Sequence, residues 1–467
     1  MSSAKFRDLS AGTKLLIVIE QVFFVGSVLL AVYINSIYQI VNYHILSGKY
    51  FLLYAFIFAI FNQLSALALG LYNSKLRESF RGILRRMLMC VSVAFCATTI
   101  MNPLHGDNAL PIEILAIASC FSVFFISSFR YFTFKVDFFG FGKRNILVLG
   151  SGKRASIIEK RMRRDVDRQD FTVHGFVVME GDLIDGIQYE TRINLKDSLV
   201  EYSLKHDIDE IVVANDERRN NLPIDELFSC KIRGVEIIDI LDFIERETGQ
   251  IEVNLIYPSW VIYSNGFAST HYLRDALDWS FNALLAICLL LITWPIMLFA
   301  VISMKVIEGI KVPILYKQER VGLDGEPFNI VKFRSMRLDA EKGGVQMASE
   351  NDSRVTFVGQ YLRKYRIDEL PQIWNILHGK MGFVGPRPER PEFVQGLIKN
   401  LPYYNERHNV KPGLSGWAQL KYPYGASEAD SLEKLKYDLY YIKHRSFLLD
   451  LLILIRTVEV VLFGKGR

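Results

Sequence analysis

The chain has 467 residues, half of them hydrophobic, and its 55 Lys and Arg outnumber 50 Asp and Glu to leave a net charge of +5. The length allows about three domains. The hydrophobic content argues against a purely soluble protein, and so small a net charge gives no basic stripe for a nucleic-acid partner. The five cysteines, Cys90, Cys96, Cys120, Cys230 and Cys288, have no metal-ligand spacing. They suggest neither a zinc site nor a disulfide framework, which fits a reducing compartment for the soluble parts.

Four apolar segments fill the first part of the chain, at roughly 15–37, 50–71, 87–101 and 112–134. Three approach the ~20 residues a spanning helix needs; the third is short unless it begins near Ile83. The first is too long for a cleavable signal and lacks a small-residue cleavage site. Lys5, Arg7 and Lys14 precede it, the second loop holds Lys75, Arg77, Arg81, Arg85 and Arg86, and Arg130, Lys135, Lys143 and Arg144 lie at or beyond the end of the fourth. The first loop offers Lys49 alone, and residues 102–111 hold no Lys or Arg. The positive-inside rule therefore puts the N-terminus, the second loop and everything after Lys135 in the cytoplasm. Glu20 and Gln21, inside the first segment, read either as a transport path or as a polar contact in the bundle interior.

Residues 143–262 read as soluble α/β. A buried-strand pattern, NILVL, runs into Gly150-Ser151-Gly152-Lys153-Arg154-Ala155 and then a basic helix through Arg164. Gly150, Gly152 and Ala155 match the G-x-G-x-x-A dinucleotide loop in its strand–turn–helix setting. Further strands fit 172–178 and 210–214. The acid that would grip a ribose should end the second strand, where only Glu180 stands loosely in place. Both a nucleotide site and a Rossmann-like scaffold or regulatory domain remain open on this evidence.

The run 281–302 is long enough to span, yet Arg274 precedes it and Lys305 and Lys311 follow it, so both flanks look cytoplasmic. Pro295 removes a helical hydrogen bond past its middle. A helix that bends at Pro295 and returns to the same face satisfies both observations; a kinked spanning helix is the alternative.

Motifs then become dense. Residues 317–336, KQERVGLDGEPFNIVKFRSM, join a Gly-containing turn to a strand with Lys332 and Arg334. Residues 351–364 lead into adjacent carboxylates, Asp368 and Glu369. Arg363, Lys364 and Arg366 precede this pair, and Arg387 follows in a stiff Gly385-Pro386-Arg387-Pro388 turn. Acid flanked by fixed positive charge suits metal-bound phosphate chemistry, in which carboxylates hold a cation or attack phosphorus and arginines take phosphate oxygens. Surface salt bridges at a helix start would leave the same pattern. Residues 410–419, VKPGLSGWAQ, form a Gly/Pro-rich loop suited to close backbone approach to a ligand. The last apolar stretch, 445–463, with Asp450, Arg456 and Glu459 interspersed, suits an amphipathic interfacial helix or a core helix.

In this order, the motifs of about residues 270–467 closely resemble the polyprenyl-phosphate hexose-1-phosphate transferases, the monotopic phosphoglycosyl transferases or bacterial sugar transferases. The first 265 residues resemble that family's large four-helix plus Rossmann-like layout, and residues 249–267 its exopolysaccharide-associated branch, found beside exosortase systems. The resemblance implies a membrane α-helical bundle (1–137), a Rossmann-like α/β middle domain (143–265) and a mainly helical α/β catalytic domain (270–467). A re-entrant helix at about 278–305 and an interfacial helix at about 445–463 would anchor the last of these to the cytoplasmic face of a bacterial inner membrane. It implies transfer of a sugar-1-phosphate from a UDP-sugar, glucose or galactose, to undecaprenyl phosphate in the lipid bilayer, with release of UMP, to initiate exopolysaccharide assembly. Asp368 matches the nucleophile that forms an aspartyl phosphosugar, and Glu369 its partner in binding magnesium (Mg2+). Arg363 and Arg387 match phosphate-binding arginines, Lys332 the basic residue of the adjoining strand with Arg334 adding charge, and Pro295 the helix-breaking proline, preceded here by Trp294. Asp438 matches a recurring acid. The layout is compatible with a homodimer. The chain departs from the pattern at Arg366, where Ser or Thr is common, and at Lys380-Met381-Gly382, which bears on sugar or nucleotide selectivity.

Overall fold

The computed structural model describes residues 11–38, 48–72, 80–101, 110–136, 143–163, 165–168, 171–182, 187–195, 198–217, 222–257, 260, 264, 266–267, 272–340, 352–422, 425 and 427–462. Lys5, Arg7, Lys75, Arg77, Arg164 and most of the third loop lie outside them. The chain divides into two compact units, Met1–Phe243 and Ile244–Arg467.

The first unit opens with four helices, α1 (Ala11–Tyr38), α2 (Gly48–Ala68), α3 (Phe80–Met101) and α4 (Ile112–Val136). The third begins at Phe80, earlier than the apolar run, because Arg81, Arg85 and Arg86 form its first turns. Ala31, Ala55, Ala59 and Ala118 are wholly buried where the helices meet, since small side chains let backbones approach where apolar lipid offers no drive for association. Val18, Val22, Phe56 and Phe124 face outward instead. Among the described residues, four helices are long and apolar enough to cross a bilayer: Leu15–Tyr38, Gly82–Met101, Ile112–Thr133 and, in the second unit, Asp275–Glu308; Leu52–Leu67 is apolar but shorter. Glu20 is fully buried and lies in the bundle interior. Arg130 of α4 donates to its Oε1 at 2.5 Å and Oε2 at 3.0 Å, and the Tyr72 hydroxyl donates to it as well. A charge held this way is a lock between α1 and α4.

The same unit carries a five-stranded parallel sheet in the order β3-β2-β1-β4-β5. Its strands are β1 (Arg144–Leu149), β2 (Phe171–Val177), β3 (Arg192–Ile193), β4 (Glu210–Val213) and β5 (Glu236–Asp239). This is the doubly wound order, with its switch point between β1 and β4. Helices α5 (Ser156–Arg161), α6 (Leu199–Lys205) and α7 (Ile224–Ile232) accompany it, and α8 (Ile240–Thr248) begins in this unit and ends in the second. Leu147, Leu149, Ile211 and Val213 bury one sheet face against Leu199 and Leu227.

In the second unit, residues 244–256 are bonded to its later elements. Trp417 Nε1 donates to the Gly249 carbonyl at 2.8 Å, Ile251 N to that of Lys436 at 3.0 Å, and Lys443 pairs with Glu245 at 2.7 Å. Helix α9 (Tyr272–Glu308) runs unbroken through Pro295, contrary to the expected break there, since the proline removes a single hydrogen bond while both halves of the helix are packed. Leu285, Ala286 and Leu289 of its first half pack with Phe328, Ile330, Ile373 and Phe383. Met297, Ala300 and Met304 of its second half pack with Phe333, Val358 and Leu362. The opposite face exposes Leu284, Leu291, Trp294, Phe299 and Ile302. An antiparallel hairpin, β6 (Leu315–Val321) and β7 (Pro327–Phe333), follows. Then come α10 (Phe357–Lys364), a 3-10 turn (Ile367–Gln372), α11 (Ile373–Leu377), β8 (Gly382–Val384), α12 (Pro391–Asn400), β9 (Gly413–Ser415), α13 (Trp417–Lys421), α14 (Glu428–His444) and α15 (Phe447–Leu462). Thr356 caps α10 by accepting from Gly359 N at 3.0 Å. Helix α15 buries Leu452 and Ile453 and exposes Phe447, Leu448 and Val458, so its outer side is apolar as well.

Candidate active site

Helix α10 buries Val358 and Leu362, so its next turn carries Arg363 and Lys364 to the edge of the core. The chain then turns at Arg366, whose φ of 57° and ψ of 20° are left-handed. That turn starts the 3-10 segment with Asp368 and Glu369 in its first turn, both buried. Asn375 Oδ1 accepts from Val331 N at 3.0 Å and its Nδ2 donates to the Asn329 carbonyl at 2.7 Å. This bracket holds the following helix against β7 and sets Lys332 beside the carboxylates.

The two neighbours have different surroundings. Glu369 Oε1 meets Arg387 Nη2 at 3.0 Å, Lys332 Nζ at 3.2 Å and Arg366 Nη1 at 3.7 Å. Asp368 Oδ1 is buried without a hydrogen-bond partner among the described residues. Burial, and then the Glu369 charge, pushes the Asp368 carboxyl up to about 6, against the pull of Lys332, Arg366 and Arg363. Burial also works on Glu369, but Lys332, Arg387 and Arg366 outweigh it and hold that carboxyl well below its usual range. Burial lowers the Lys332 ammonium despite the attraction of Glu369. One carboxylate thus fixes the cations, while the other is desolvated and keeps an uncommitted oxygen.

The structure brings together Asp368, Glu369, Lys332 and Arg387, with Arg363 near enough to act on Asp368 electrostatically. Arg334 is placed elsewhere, contrary to the expectation that it adds charge at the site. Its guanidinium pairs with Glu308 and donates to the carbonyls of Pro313 at 2.9 Å and Met336 at 2.8 Å, so it ties the end of α9 to the hairpin. Met381, where the family pattern breaks, is core, 2% exposed among Phe328, Ile373 and Phe383. The Gly/Pro-rich loop 410–416 uses its close approach on backbone rather than ligand: a Cβ on Gly413 would lie 2.1 Å from Gly385 N, and one on Gly416 2.4 Å from Gly385 O. The reading of the motifs missed Arg320 and Arg407, which donate to carbonyls of the Arg387 loop. Each stands in a mixed-charge run with no local signal of burial.

Gly150, Gly152 and Ala155 do form a strand–turn–helix loop, but its amides are already engaged. Asp216 accepts from Lys153 N at 2.8 Å and Arg154 N at 2.9 Å, and Asp182 from Ser151 N at 2.7 Å. In the fingerprint the second glycine lets a diphosphate approach the backbone. Here a Cβ on Gly152 would lie 2.1 Å from the Asp216 carboxylate, which fills that space. The loop does not fit a nucleotide diphosphate in this arrangement.

Among the described residues no group of three or more His, Cys, Asp or Glu converges as a metal cage. The open Asp368 oxygen fits the other mode of magnesium binding, in which one or two protein carboxylates join the oxygens of a substrate phosphate.

The family described as bacterial sugar transferase matches residues 273–464. The chain is 35% identical over 240 residues to the UDP-N-acetylgalactosamine-undecaprenyl-phosphate N-acetylgalactosaminephosphotransferase of Aeromonas hydrophila, covering 51% of this chain and 55% of that one. It is 32% identical over 282 residues to the UDP-glucose:undecaprenyl-phosphate glucose-1-phosphate transferase of Xanthomonas campestris pv. campestris, covering 58% and 56%. The alignments thus span little more than half the length of these two relatives. The sugar transferase EpsL of Bacillus subtilis (strain 168) is 40% identical over 190 residues, which cover 40% of this chain and 87% of that protein.

Proposed function

Since the chain belongs to the bacterial sugar transferase family, we propose that it moves a sugar-1-phosphate from a UDP-sugar to undecaprenyl phosphate and releases UMP. The observation that carries this reading is the division between the two carboxylates, Glu369 fastened to Lys332 and Arg387 while Asp368 Oδ1 has no hydrogen-bond partner among the described residues. In the first step an Asp368 oxygen attacks the sugar-proximal phosphorus, and the bond from that phosphorus to the UMP oxygen breaks. In the second, an oxygen of undecaprenyl phosphate attacks the same phosphorus and Asp368 leaves as carboxylate. Splitting the transfer in this way is ordinary covalent catalysis. Arg387, Lys332 and Arg363 take the diphosphate oxygens, while Glu369 keeps the first two of these cations in place before substrate arrives. Asp368 and Glu369 would hold Mg2+ jointly with the diphosphate, and the ion would neutralise charge on the departing UMP.

A lipid substrate requires the site near a bilayer surface. The packing of α9 supports a helix held along the domain rather than one that leaves it to cross: both its halves lie against the same domain. Its outer face is apolar from Leu284 to Ile302, and the flanking cations favour both ends in the cytoplasm. Two of the relatives named above carry the names of UDP-glucose and UDP-N-acetylgalactosamine transferases; glucose, galactose and N-acetylgalactosamine are the donors to try first, and the proposed lipid-linked product would initiate a polysaccharide. The test is UMP release by detergent-solubilised protein given Mg2+, undecaprenyl phosphate and a panel of UDP-sugars. Release with at least one sugar is expected; no release with any removes the proposal.

A further inference from the structure

The Arg387 loop is short of donors. Pro386 and Pro388 have no N–H, so the loop's carbonyls cannot be satisfied from within and need donors from outside. The structure supplies one to each of four consecutive carbonyls. Gly413 N donates to Pro386 O at 3.0 Å and Val321 N to Glu389 O at 2.9 Å. Arg407 Nη2 donates to Arg387 O at 2.9 Å, and Arg320 Nη1 to Pro388 O at 3.1 Å.

Of the two side chains in this set, Arg407 is the more deeply placed. It is 6% exposed and pairs with Asp438, itself 2% exposed, through Nε at 3.2 Å and Nη2 at 2.9 Å. Its Nη1 donates to the Tyr404 hydroxyl at 2.9 Å. Burying two charges is unfavourable unless their geometry is good. What this pair adds is direction: Asp438 and Tyr404 orient the guanidinium so that one N–H meets the backbone of the residue whose own guanidinium holds Glu369.

We infer that Arg407, oriented by Asp438, is a positioning residue that fixes the backbone of Arg387 and so aims its guanidinium at Glu369 and the phosphate. The inference rests on the transferase reading above for its kinetic consequence, though not for its structural one. Arg407 touches no reacting group; it acts through Arg387.

The test replaces the ion pair as a unit, Arg407→Met with Asp438→Leu, because removing one partner alone would strand a buried charge and risk unfolding. In the full-length solubilised protein this double variant should keep its thermal transition while kcat/KM falls about 10- to 100-fold, the scale of a misplacement of roughly 1 Å. Built into Arg387→Gln, the same pair of changes should lower kcat/KM by less than about threefold, because the residue through which it acts is gone. Hydrogen exchange of the peptide holding Gly385–Arg390 should quicken in the double variant, and this readout needs no reaction. An inactive wild type would sink the transferase reading, while the exchange would still decide whether Arg407 fixes the loop. A folded double variant with wild-type turnover and unchanged exchange overturns the inference. So does an equal fall in kcat/KM with and without Arg387, which would mean that the pair acts on the fold at large.

Discussion

Arg387 and Glu369 hold each other, with Nη2 donating to Oε1 at 3.0 Å. The pairing fastens Glu369 Oε1 among the cations, while Oδ1 of its neighbour Asp368 has no hydrogen-bond partner among the described residues. Two adjacent acids whose environments drive their pKa values apart are suited to different tasks.

Asp368→Asn should lower turnover by at least about a thousandfold, as removal of a nucleophile does. It should also leave the thermal transition unchanged or raise it, because a desolvated charge beside Glu369 is lost while volume is kept. UMP release and thermal unfolding measured on one preparation check both halves. Wild-type turnover in this variant would mean that another group attacks phosphorus.

The proposed attack needs Asp368 ionised, and its carboxyl is pushed up to about 6 by burial and Glu369. The pH profile of kcat/KM should therefore rise through an acid limb near pH 6 and level off above it. Stability should respond in opposite senses. The raised Asp368 contributes most below its unfolded value and loses that contribution as pH rises towards 6; the depressed Glu369 contributes above the ordinary carboxylate range and loses it in acid. A profile flat from pH 5 to 8 would argue against Asp368 as the attacking group.

Glu369→Gln leaves Lys332, Arg387 and Arg366 facing one another without their counter-charge. It should lower stability by about 2 kcal/mol, a fall in Tm of roughly 4–8 °C, whereas Asp368→Asn should not. Thermal unfolding of the two variants side by side separates a holding role from a reacting one.

A cysteine just beyond α9 should be labelled only from the cytoplasmic side. Ile310 is the position to use, since it is 82% exposed, whereas Gly309 has a φ of 107° that a side chain would strain. Membrane-impermeant labelling of Ile310→Cys, with the exposed Cys96, Cys120 and Cys288 replaced by serine, reads the topology. Labelling from the outer side would show that α9 spans.

The middle domain should show no NAD⁺ or ADP contact at the Gly150 loop, because Asp182 and Asp216 already take its amides. Asp216→Ala should quicken hydrogen exchange across residues 150–155 by about tenfold, on the scale of one lost hydrogen bond. Protection of that peptide by NAD⁺ in the wild type would restore the nucleotide reading.

Much of the reactive pair was legible from local chemistry. Asp368 and Glu369 sit among Arg363, Arg366 and Arg387 within a short stretch of chain, and a hairpin strand brings up Lys332. Arg334 misled because alternation along a strand says which residues share a side, but not that Glu308 and two carbonyls lie waiting there. The glycine loop was left open by the sequence for a related reason. Its spacing states that backbone amides are open to an acceptor, and says nothing of acceptors as distant in the chain as Asp182 and Asp216.

By itself, then, the sequence determined where apolar helices and the parallel sheet form, and which segment gathers acid among cations, because hydropathy, periodicity and charge act over neighbouring residues. Tertiary structure alone decided that Glu369 pairs with the cations and that Asp368 Oδ1 is left without a hydrogen-bond partner among the described residues. It also turned Glu20 into a partner of Arg130 and placed Arg407 behind Arg387. Those outcomes depend on burial and on contacts between residues far apart in the chain, where a few ångströms decide whether a charge is paired, desolvated or left to react.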